Sequence, residues 1–515
     1  MATARRQFDN YEHALQRLGT RVAATWQARE VSEPADGGAA ASVDERLVQC
    51  IWHDGLLIGR PLATVAGKPL SISSAGDWNH EAGPDFRRAE FLLDGRPVKG
   101  DVEIHLRSSD WTGHGHDRNF DYNSVALHVF LTRDDDRKFD LLHNGRPIER
   151  LCLAPYLEPD LDTLRQTIAL DEYPVGEPGR RGRCHQAIES LDADALAEIL
   201  DLAGDRRLEE KAARFGAQLS GETLDQVFYQ ALMTSLGHKS GKTLYFLLAK
   251  RTPIAELAGH AAECPAGERV RLIEAILCHV ANLVPGGERP EPLDEPSQAH
   301  LDSLNRHWSR VAGYFSDRII PPTRRWYAGI RPVNFPCRRL AGMAHLLGPR
   351  LERGLVGAVL DLLWQSVPPQ PNRKSVKQMA DGLSAVLSVE IEHYWTRRYV
   401  WGGKIAAHAQ SLIGGGQARS ILFNAILPVA LLWTRQRQDA AREAQVFALW
   451  RHFPRLPENQ IVRLMRERLF GDGERFAGLL ATEHRNQALF QVFNDCCNNR
   501  MADCSQCTLA ASKAA

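Results

Sequence analysis

The spacing of apolar residues changes once along this chain, and that change restricts its fold more than any other feature. From about residue 56 to about residue 155, apolar and polar residues alternate, which is typical of half-buried strands. The alternation predicts strands at Pro69–Ser73, Phe86–Leu93, Val98–Arg107 and Val125–Leu131. After about residue 185 the period becomes helical. We therefore predict an α/β module, then a large all-α region and a cysteine-rich C-terminal tail.

Patterning and composition together divide the chain into four segments. We predict an N-terminal helix and linker at residues 1–42, the α/β module at 43–160, a helical domain at 161–490 and the cysteine-rich tail at 491–515. A helix at 44–52 precedes the strands, and six stretches of helical apolar spacing follow them. These stretches are Asp192–Phe215, Thr223–Leu236, Arg269–Leu283, Arg338–Leu347, Leu351–Leu363 and Ile421–Gln436.

Composition and charge narrow the class of protein. Hydrophobic residues make up 44% and charged residues 24%, which excludes a disordered, collagen-like or coiled-coil chain. Lys+Arg and Asp+Glu both total 63, so only a local basic patch would bind nucleic acid. No apolar run reaches the ~18–20 residues of a membrane helix, and the N-terminus lacks an apolar signal core. We expect a cytoplasmic protein with no membrane partner, and its oligomeric state stays open.

Two carboxylates are predicted to meet on a hairpin. The Asp94–Gly95 step is a turn signal, and a turn there brings Asp85, at the start of one strand, beside Glu103 and His105 on the next. Alternation places Glu103, His105 and Arg107 on the face away from the core. Two carboxylates and a backbone carbonyl form an oxygen-rich site for Mg²⁺ or Mn²⁺, where His105 can orient or deprotonate a water. The alternative is a surface hairpin with solvated charges.

This layout resembles the PD-(D/E)xK nuclease superfamily. Pro84-Asp85 matches its first half motif, and Glu103-x-His105 matches the second with His in place of Lys. Glu45, on the preceding helix, lies where many members place an additional acidic ligand. The resemblance implies a metal-dependent nuclease-like phosphodiesterase acting on nucleic acid. Asp85 and Glu103 would hold Mg²⁺ or Mn²⁺, and His105 would position the water.

A longer string of residues is more distinctive. It comprises Asn79-x3-Gly83-Pro84-Asp85-Phe86, Gly100-Asp101-Val102-Glu103-Ile104-His105, Ser109-Asp110-Trp111-x2-His114-x-His116, Tyr122 and Leu127-His128-Val129. This string resembles a bacterial domain-of-unknown-function family, number 2851, over nearly all of residues 43–510. The resemblance implies no particular activity.

The histidines after the hairpin allow several interpretations. His114 and His116 lie two residues apart, and they would form a second metal shell or contact substrate phosphates beside the carboxylates, together with Arg107. A metalloenzyme using His105, His114 and His116 on another substrate is an alternative. Flanking glycines favour a loop, so solvated or hydrogen-bonded histidines are a further alternative. His128 lies within an apolar strand and is typical of a hydrogen-bonded core histidine.

The C-terminal cysteines carry the strongest metal signal. Cys497, Cys504 and Cys507 are spaced as thiolate ligands of Zn²⁺ or an iron–sulfur cluster. Cys184, after a basic and glycine-containing stretch, is our candidate fourth ligand. The tail is similar to that of some PD-(D/E)xK nucleases, in which one distant cysteine and three C-terminal ones hold a [4Fe–4S] cluster. Free or redox-active thiols are the alternative.

An arginine-rich stretch is a candidate nucleic-acid contact. Residues 321–340 contain five arginines and no acidic residue, with aromatic residues between them. Arg324, Arg325 and Arg331 are the candidate phosphate contacts, with rings available for stacking on bases. The alternative is a rigid loop that packs against the helical domain. For the whole chain, a non-catalytic nucleic-acid-binding or scaffold protein with a nuclease-like fold stays possible.

The cysteine pattern generates the first prediction. Purified protein should contain about one zinc per chain, or a brown iron–sulfur chromophore, because one tetrahedral site uses four thiolates. Cys504→Ser should lose that metal, as measured by elemental analysis of anaerobically purified protein. Protein that contains neither zinc nor iron would contradict the site.

Overall fold

The chain is described here by a computed structural model. It covers residues 45–58, 60–79, 83–158, 160–168, 173, 184–189, 191–237, 241–286, 292–327, 330–471 and 478–497. Described residues between 45 and 173 form one compact unit, and those between 184 and 497 form another. The predicted N-terminal helix and linker at 1–42 lie outside the described residues, as do Cys504 and Cys507 of the tail.

The N-terminal unit is a curled mixed sheet with helices. Its strands are β1 (Leu62–Ala63), β2 (Pro69–Ser74), β3 (Asp77–Trp78), β4 (Phe86–Leu93), β5 (Arg96–Arg107), β6 (Val125–Thr132), β7 (Asp140–Leu141) and β8 (Pro147–Cys152). They lie in the order β1-β2-β4-β5-β6-β8-β7, and β3 pairs with β4. The helices are α1 (Glu45–His53), α2 (Asp110–Gly113) and α3 (Leu161–Thr167). The four predicted strands are therefore confirmed, with small shifts at their ends.

A two-residue turn closes the β4–β5 hairpin as predicted. Asp94 has φ 50° and Gly95 has φ 74°, and Leu93 pairs with Arg96. Two successive left-handed residues match the right-handed twist of the flanking strands, and aspartate and glycine adopt this conformation readily. The hairpin pairs Phe86 with Val102, which places the start of β4 beside the end of β5.

The register of β5, β6 and β8 sorts their side chains into two rows. These strands run parallel, and Ile104, Val129 and Leu151 pair across them in the apolar core. The neighbouring row pairs Glu103 with His128 and His128 with Arg150. Because side chains alternate along a strand, this polar row occupies the opposite face, and all three of its members are buried.

The second unit is helical. Its described helices are α4 (Cys184–Glu189), α5 (Ala193–Gln218), α6 (Leu224–Leu236), α7 (Lys242–Arg251), α8 (Ile254–Ala262), α9 (Arg269–Val280), α10 (Glu295–Ser309), α11 (Ala312–Phe315), α12 (Pro336–Leu347), α13 (Leu355–Ser366), α14 (Arg373–Leu387), α15 (Gly415–Ile421), α16 (Leu427–Gln436), α17 (Ala440–His452), α18 (Gln460–Phe470) and α19 (Glu483–Val492). π-Helical turns occupy Leu422–Ile426 and Phe493–Cys497. The six predicted stretches are all helical, although α13 begins later than predicted.

One continuous helical stretch is long and apolar. Gly415–Gln436 has the length and composition to cross a membrane, and 61% of its most apolar window is buried inside the helical unit. Such burial is typical of a helix in the core of a globular unit.

Helices α5 and α19 pack very closely at Gly204. A Cβ atom at Gly204 would lie 2.4 Å from the His484 ring and 2.7 Å from the His484 carbonyl oxygen. The Gly204 carbonyl also accepts the indole N–H of Trp450 at 2.9 Å. The absence of a side chain at this position lets the two backbones approach.

Substitution by alanine is predicted to have opposite effects on stability at Gly204 and at a second helical glycine, Gly382. Gly204→Ala should destabilise the fold by about 1–3 kcal/mol because the added methyl group overpacks the contact. Gly382→Ala, in α14 with no atom within 4 Å of the added Cβ, should stabilise it by about 0.5–1 kcal/mol because alanine favours helix. Thermal unfolding of both variants measures the difference, and similar melting temperatures would contradict the close packing.

Candidate functional site

The segment between β5 and β6 covers the polar row of the sheet. It contains α2 and single turns at His116–Arg118 and Phe120–Tyr122. Trp111 anchors it, since its ring is fully buried and its indole N–H donates to the Leu141 carbonyl. Gly115 has φ 74°, a conformation that glycine adopts without strain, and it reverses the chain between His114 and His116. Both histidines are thereby brought against His105.

Three imidazole rings converge. His105 Nε2 lies 3.2 Å from His114 Nδ1 and 3.2 Å from His116 Nε2. One nitrogen from each of the three rings lies within 4.8 Å of the others. His105 and His116 are buried and His114 is exposed, so the cluster opens to solvent on the His114 side.

A carboxylate oxygen completes the cluster. Glu103 Oε1 lies 3.4 Å from His116 Nε2 and 3.7 Å from His105 Nε2. Its other oxygen, Oε2, accepts the backbone N–H of Asp85 at 3.0 Å. One oxygen of Glu103 thus faces the imidazoles while the other fixes the side chain.

The imidazoles of His105 and His116 are neutral at physiological pH. Burial lowers the pKa of His105 to about 2, and the neighbouring His128, His116 and His114 rings contribute. Burial lowers the pKa of His116 to about 4, and the neighbouring His114 ring makes the second-largest contribution. The cluster therefore offers nitrogen lone pairs and carries no imidazolium charge at these two positions.

Asp85 lies beside Glu103, as the hairpin predicts, and the charge of Glu45 also acts on Glu103. Gln49 Nε2 donates to Asp85 Oδ1 at 2.9 Å, and the Ile104 N–H donates to Asp85 Oδ2 at 2.9 Å. Burial of the carboxyl group raises the pKa of Asp85 to about 7. The pKa of Glu103 is raised well above its usual range by burial and then by the charges of Asp85 and Glu45.

Behind the cluster, a chain of hydrogen bonds runs into the protein. His105 Nδ1 lies 2.9 Å from His128 Nε2, and His128 Nδ1 lies 2.6 Å from Asp140 Oδ2. Asp140 also pairs with Arg150 Nε at 3.0 Å. His128 is buried and hydrogen-bonded, as predicted. Sequence reasoning missed Asp140 and Arg150.

Two further candidate residues are Arg107, two positions after His105, and Tyr122. Arg107 is exposed, and its backbone N–H donates to Asp110 Oδ2 at 2.8 Å. The Tyr122 ring lies 3.9 Å from the His116 ring, centroid to centroid. Burial and then the charge of Glu103 raise the pKa of Tyr122, so its hydroxyl stays protonated.

The cysteine prediction is only partly described by the structure. Cys184 is buried at the start of α4, and Cys497 is half-buried at the end of a π-helical turn. Cys504 and Cys507 lie outside the described residues. The four-cysteine site stays a prediction.

The arginine-rich stretch contains a structural arginine. Arg338 is fully buried, and its guanidinium donates to the carbonyls of Val333, Arg398, Gln410 and Ser411. Arg331 is exposed. The side chains of Arg324 and Arg325 lie outside the part of the chain that the structure describes. Of the three candidate phosphate contacts, Arg331 is therefore the one whose exposure is established.

A second group of metal-ligand types lies in the helical unit. Glu274 Oε1 lies 3.3 Å from His300 Nε2, and Glu274 Oε2 lies 3.2 Å from His393 Nε2. Arg271 reaches into this group, with its guanidinium 2.8 Å from Glu274 Oε2 and within 3.2 Å of both histidines. A guanidinium already supplies the positive charge that a metal would bring, so we interpret this group as a structural network.

A family model described as "Protein of unknown function (DUF2851)" matches residues 45–459. The chain belongs to this family, which confirms the expected family resemblance over residues 45–459. The matched range includes the hairpin, the histidine cluster and most of the helical unit. No curated protein and no solved structure matches the chain.

Arg338 and Arg331 are predicted to contribute differently to the stability of the fold. Arg338→Ala should lower the free energy of unfolding by at least about 2 kcal/mol because buried carbonyls lose their donor. Arg331→Ala should change it by less than about 0.5 kcal/mol because the side chain is exposed. Thermal unfolding measures both effects, and a small loss in Arg338→Ala would show that water replaces the guanidinium.

Proposed function

We propose that the N-terminal unit is a metal-dependent hydrolase. Its cation would be a divalent transition metal held by His105, His114 and His116, with Glu103 as an oxygen ligand. The observation that carries the proposal is the convergence of these donor atoms: His105 Nε2 lies 3.2 Å from a nitrogen of each other ring, and Glu103 Oε1 lies 3.4 Å from His116 Nε2 and 3.7 Å from His105 Nε2. Around a tetrahedral ion with bonds of about 2.0–2.1 Å, neighbouring ligand atoms lie about 3.4 Å apart.

Charge supports a cation at this position. The pKa values of His105 and His116 leave both imidazoles neutral, while Glu45, Asp85 and Glu103 gather their carboxyl groups in one region. Among the described residues, no lysine or arginine forms an ion pair with Asp85 or Glu103. Three imidazoles and one carboxylate favour zinc, manganese, iron or nickel over magnesium, which prefers oxygen ligands.

The residues of this chain suit hydrolysis. Bound as a fifth ligand, a water on such an ion would have a lowered pKa and would supply a hydroxide near neutral pH. His114 is exposed, so water and substrate would approach the cluster at that edge. Tyr122, whose ring contacts that of His116, offers a protonated hydroxyl. The exposed Arg107 at the end of β5 favours an anionic substrate. We therefore propose a phosphodiester, with nucleic acid as the first substrate to test.

The second candidate is a PD-(D/E)xK phosphodiesterase with Mg²⁺ or Mn²⁺ on Asp85 and Glu103 and Glu45 nearby. The hairpin favours it, because Asp85 lies beside Glu103 and β6 runs parallel to β5. Both carboxylate oxygens of Asp85 already accept N–H groups, from Gln49 and Ile104. A cation bound there would compete with those bonds, so the histidine site requires less rearrangement.

Other parts of the proposal concern the rest of the chain. The helical unit would contact the nucleic-acid backbone, with Arg331 as its exposed candidate. The cysteines Cys184, Cys497, Cys504 and Cys507 would hold Zn²⁺ or [4Fe–4S] as a structural site. If the protein cleaves no phosphodiester, the alternative role is that of a non-catalytic nucleic-acid-binding or scaffold protein.

Activity assays test the histidine site. The protein should cleave bis(p-nitrophenyl) phosphate or labelled single- or double-stranded DNA or RNA with Zn²⁺ or Mn²⁺. His105→Ala and His116→Ala should each lower the rate by at least about 100-fold, because each removes a ligand. His143→Ala, an exposed histidine of the β7–β8 turn, is the matched control and should keep the activity.

One further variant separates the two candidates. Asp85→Asn should abolish the activity together with Mg²⁺ dependence if the ion is held by Asp85 and Glu103. It should leave stoichiometric Zn²⁺ binding in place if the histidines hold the ion. Wild-type protein that neither binds a metal at this site nor turns over any of these probes would contradict both candidates.

A further inference from the structure

The hydrogen-bond chain behind the cluster has a defined direction. Asp140 is fully buried and contacts two guanidiniums, Arg150 Nε at 3.0 Å and Arg137 at 3.5 Å. A carboxylate held between two guanidiniums accepts hydrogen bonds and donates none. The nitrogen of His128 that lies 2.6 Å from it, Nδ1, must therefore carry the proton.

The charges around His128 are balanced when its ring is neutral. Arg137 and Arg150 are paired not only with Asp140 but also with Asp135, at 2.6 Å and 2.7 Å. Two carboxylates thus match two guanidiniums. A protonated His128 would add a positive charge without a partner in a fully buried place, which is costly. With the proton on Nδ1, His128 Nε2 is an acceptor.

The same reasoning determines which nitrogen of His105 carries the proton. His128 Nε2 lies 2.9 Å from His105 Nδ1, so His105 Nδ1 must be the donor. A neutral imidazole carries one proton, and His105 Nε2 is therefore left with its lone pair. That atom is the one placed 3.2 Å from both His114 Nδ1 and His116 Nε2.

We infer that Asp140 and His128 are positioning residues that fix His105 in the Nδ1–H tautomer and so present its Nε2 lone pair to the metal. The inference rests on the proposed function for the identity of the ligand. If the hydrogen bonds ran in the opposite direction, His105 Nε2 would carry a hydrogen between His114 and His116, which would block metal coordination. Mutation of a residue that supports a metal-ligating histidine from behind commonly lowers metal affinity by about 10–100-fold.

The strand register also supports this arrangement. His128 pairs with Glu103 on one side and with Arg150 on the other. The polar row of the sheet therefore contains Glu103 of the cluster, the central residue of the relay from Asp140 through His128 to His105, and the counter-ion of Asp140. Arg150 also donates to the Ser108 carbonyl at 3.0 Å, directly before the segment that carries His114 and His116. The relay and the covering segment are thus held by the same guanidinium.

Asp140→Asn tests the inference with little change of shape. The neutral amide no longer enforces a proton on His128 Nδ1, so the His128 Nε2–H form and the reversed order of hydrogen bonds become accessible. We expect Zn²⁺ affinity to fall by about 10–100-fold, with the His105 Nε2–H tautomer appearing in ¹⁵N NMR spectra of metal-free protein. Asp134→Asn is the control, because Asp134 is an exposed carboxylate that accepts from Ser108 and Ser109 outside the relay.

A second pair of variants covers the case in which Asp140→Asn fails to fold. His128→Gln offers an amide oxygen to His105 Nδ1 and should retain most of the affinity, whereas His128→Leu should not. Wild-type His105 in the Nε2–H tautomer, or unchanged affinity and tautomer in Asp140→Asn, would overturn the inference. Because the NMR measurement is made without metal, it decides the tautomer even if wild-type protein binds no Zn²⁺, a result that would contradict the proposed function separately.

Discussion

The site depends on the parallel pairing of β5, β6 and β8. Their register places Glu103, His128 and Arg150 side by side on the face opposite the apolar core. A buried row of polar side chains is costly unless its members satisfy one another. Arg150 and Asp140 neutralise each other, His128 bonds to Asp140, and His105 bonds to His128. The direction of each bond follows from the carboxylate acceptor at the inner end.

Local sequence patterns predicted the hairpin well because strand alternation and turn chemistry are local properties. Asp94 and Gly95 have the positive φ values expected of a two-residue turn, and Asp85 lies beside Glu103 as a consequence. The relay was not predictable in the same way. Strand β8 reads Pro-Ile-Glu-Arg-Leu-Cys, and its adjacent charged residues break the alternation. It is buried on both faces because it pairs in a parallel sheet, a long-range effect.

The histidine cluster shows a second limit of sequence reasoning. The spacing of His114 and His116 identified a candidate pair, but their approach to His105 depends on the covering segment. Burial of Trp111 and the left-handed conformation of Gly115 set that approach. In the helical unit, apolar periodicity predicted the helices, whereas Gly354, with φ 76°, sets the later start of α13. Contacts between distant segments, such as Gly204 with His484, have no local signal.

The two clusters of histidine and glutamate show how charge distinguishes a structural network from a candidate metal site. Around Glu274, Arg271 contacts the carboxylate and both histidines. His393 and His300 hold the pKa of Glu274 well below its usual range despite its burial. Around Glu103, no described guanidinium or ammonium group pairs with the carboxylate, and burial raises its pKa instead. The first cluster contains its own cation, so its charge is already compensated. The second concentrates lone pairs and carboxyl groups beside an exposed edge, and a bound metal ion would compensate that excess.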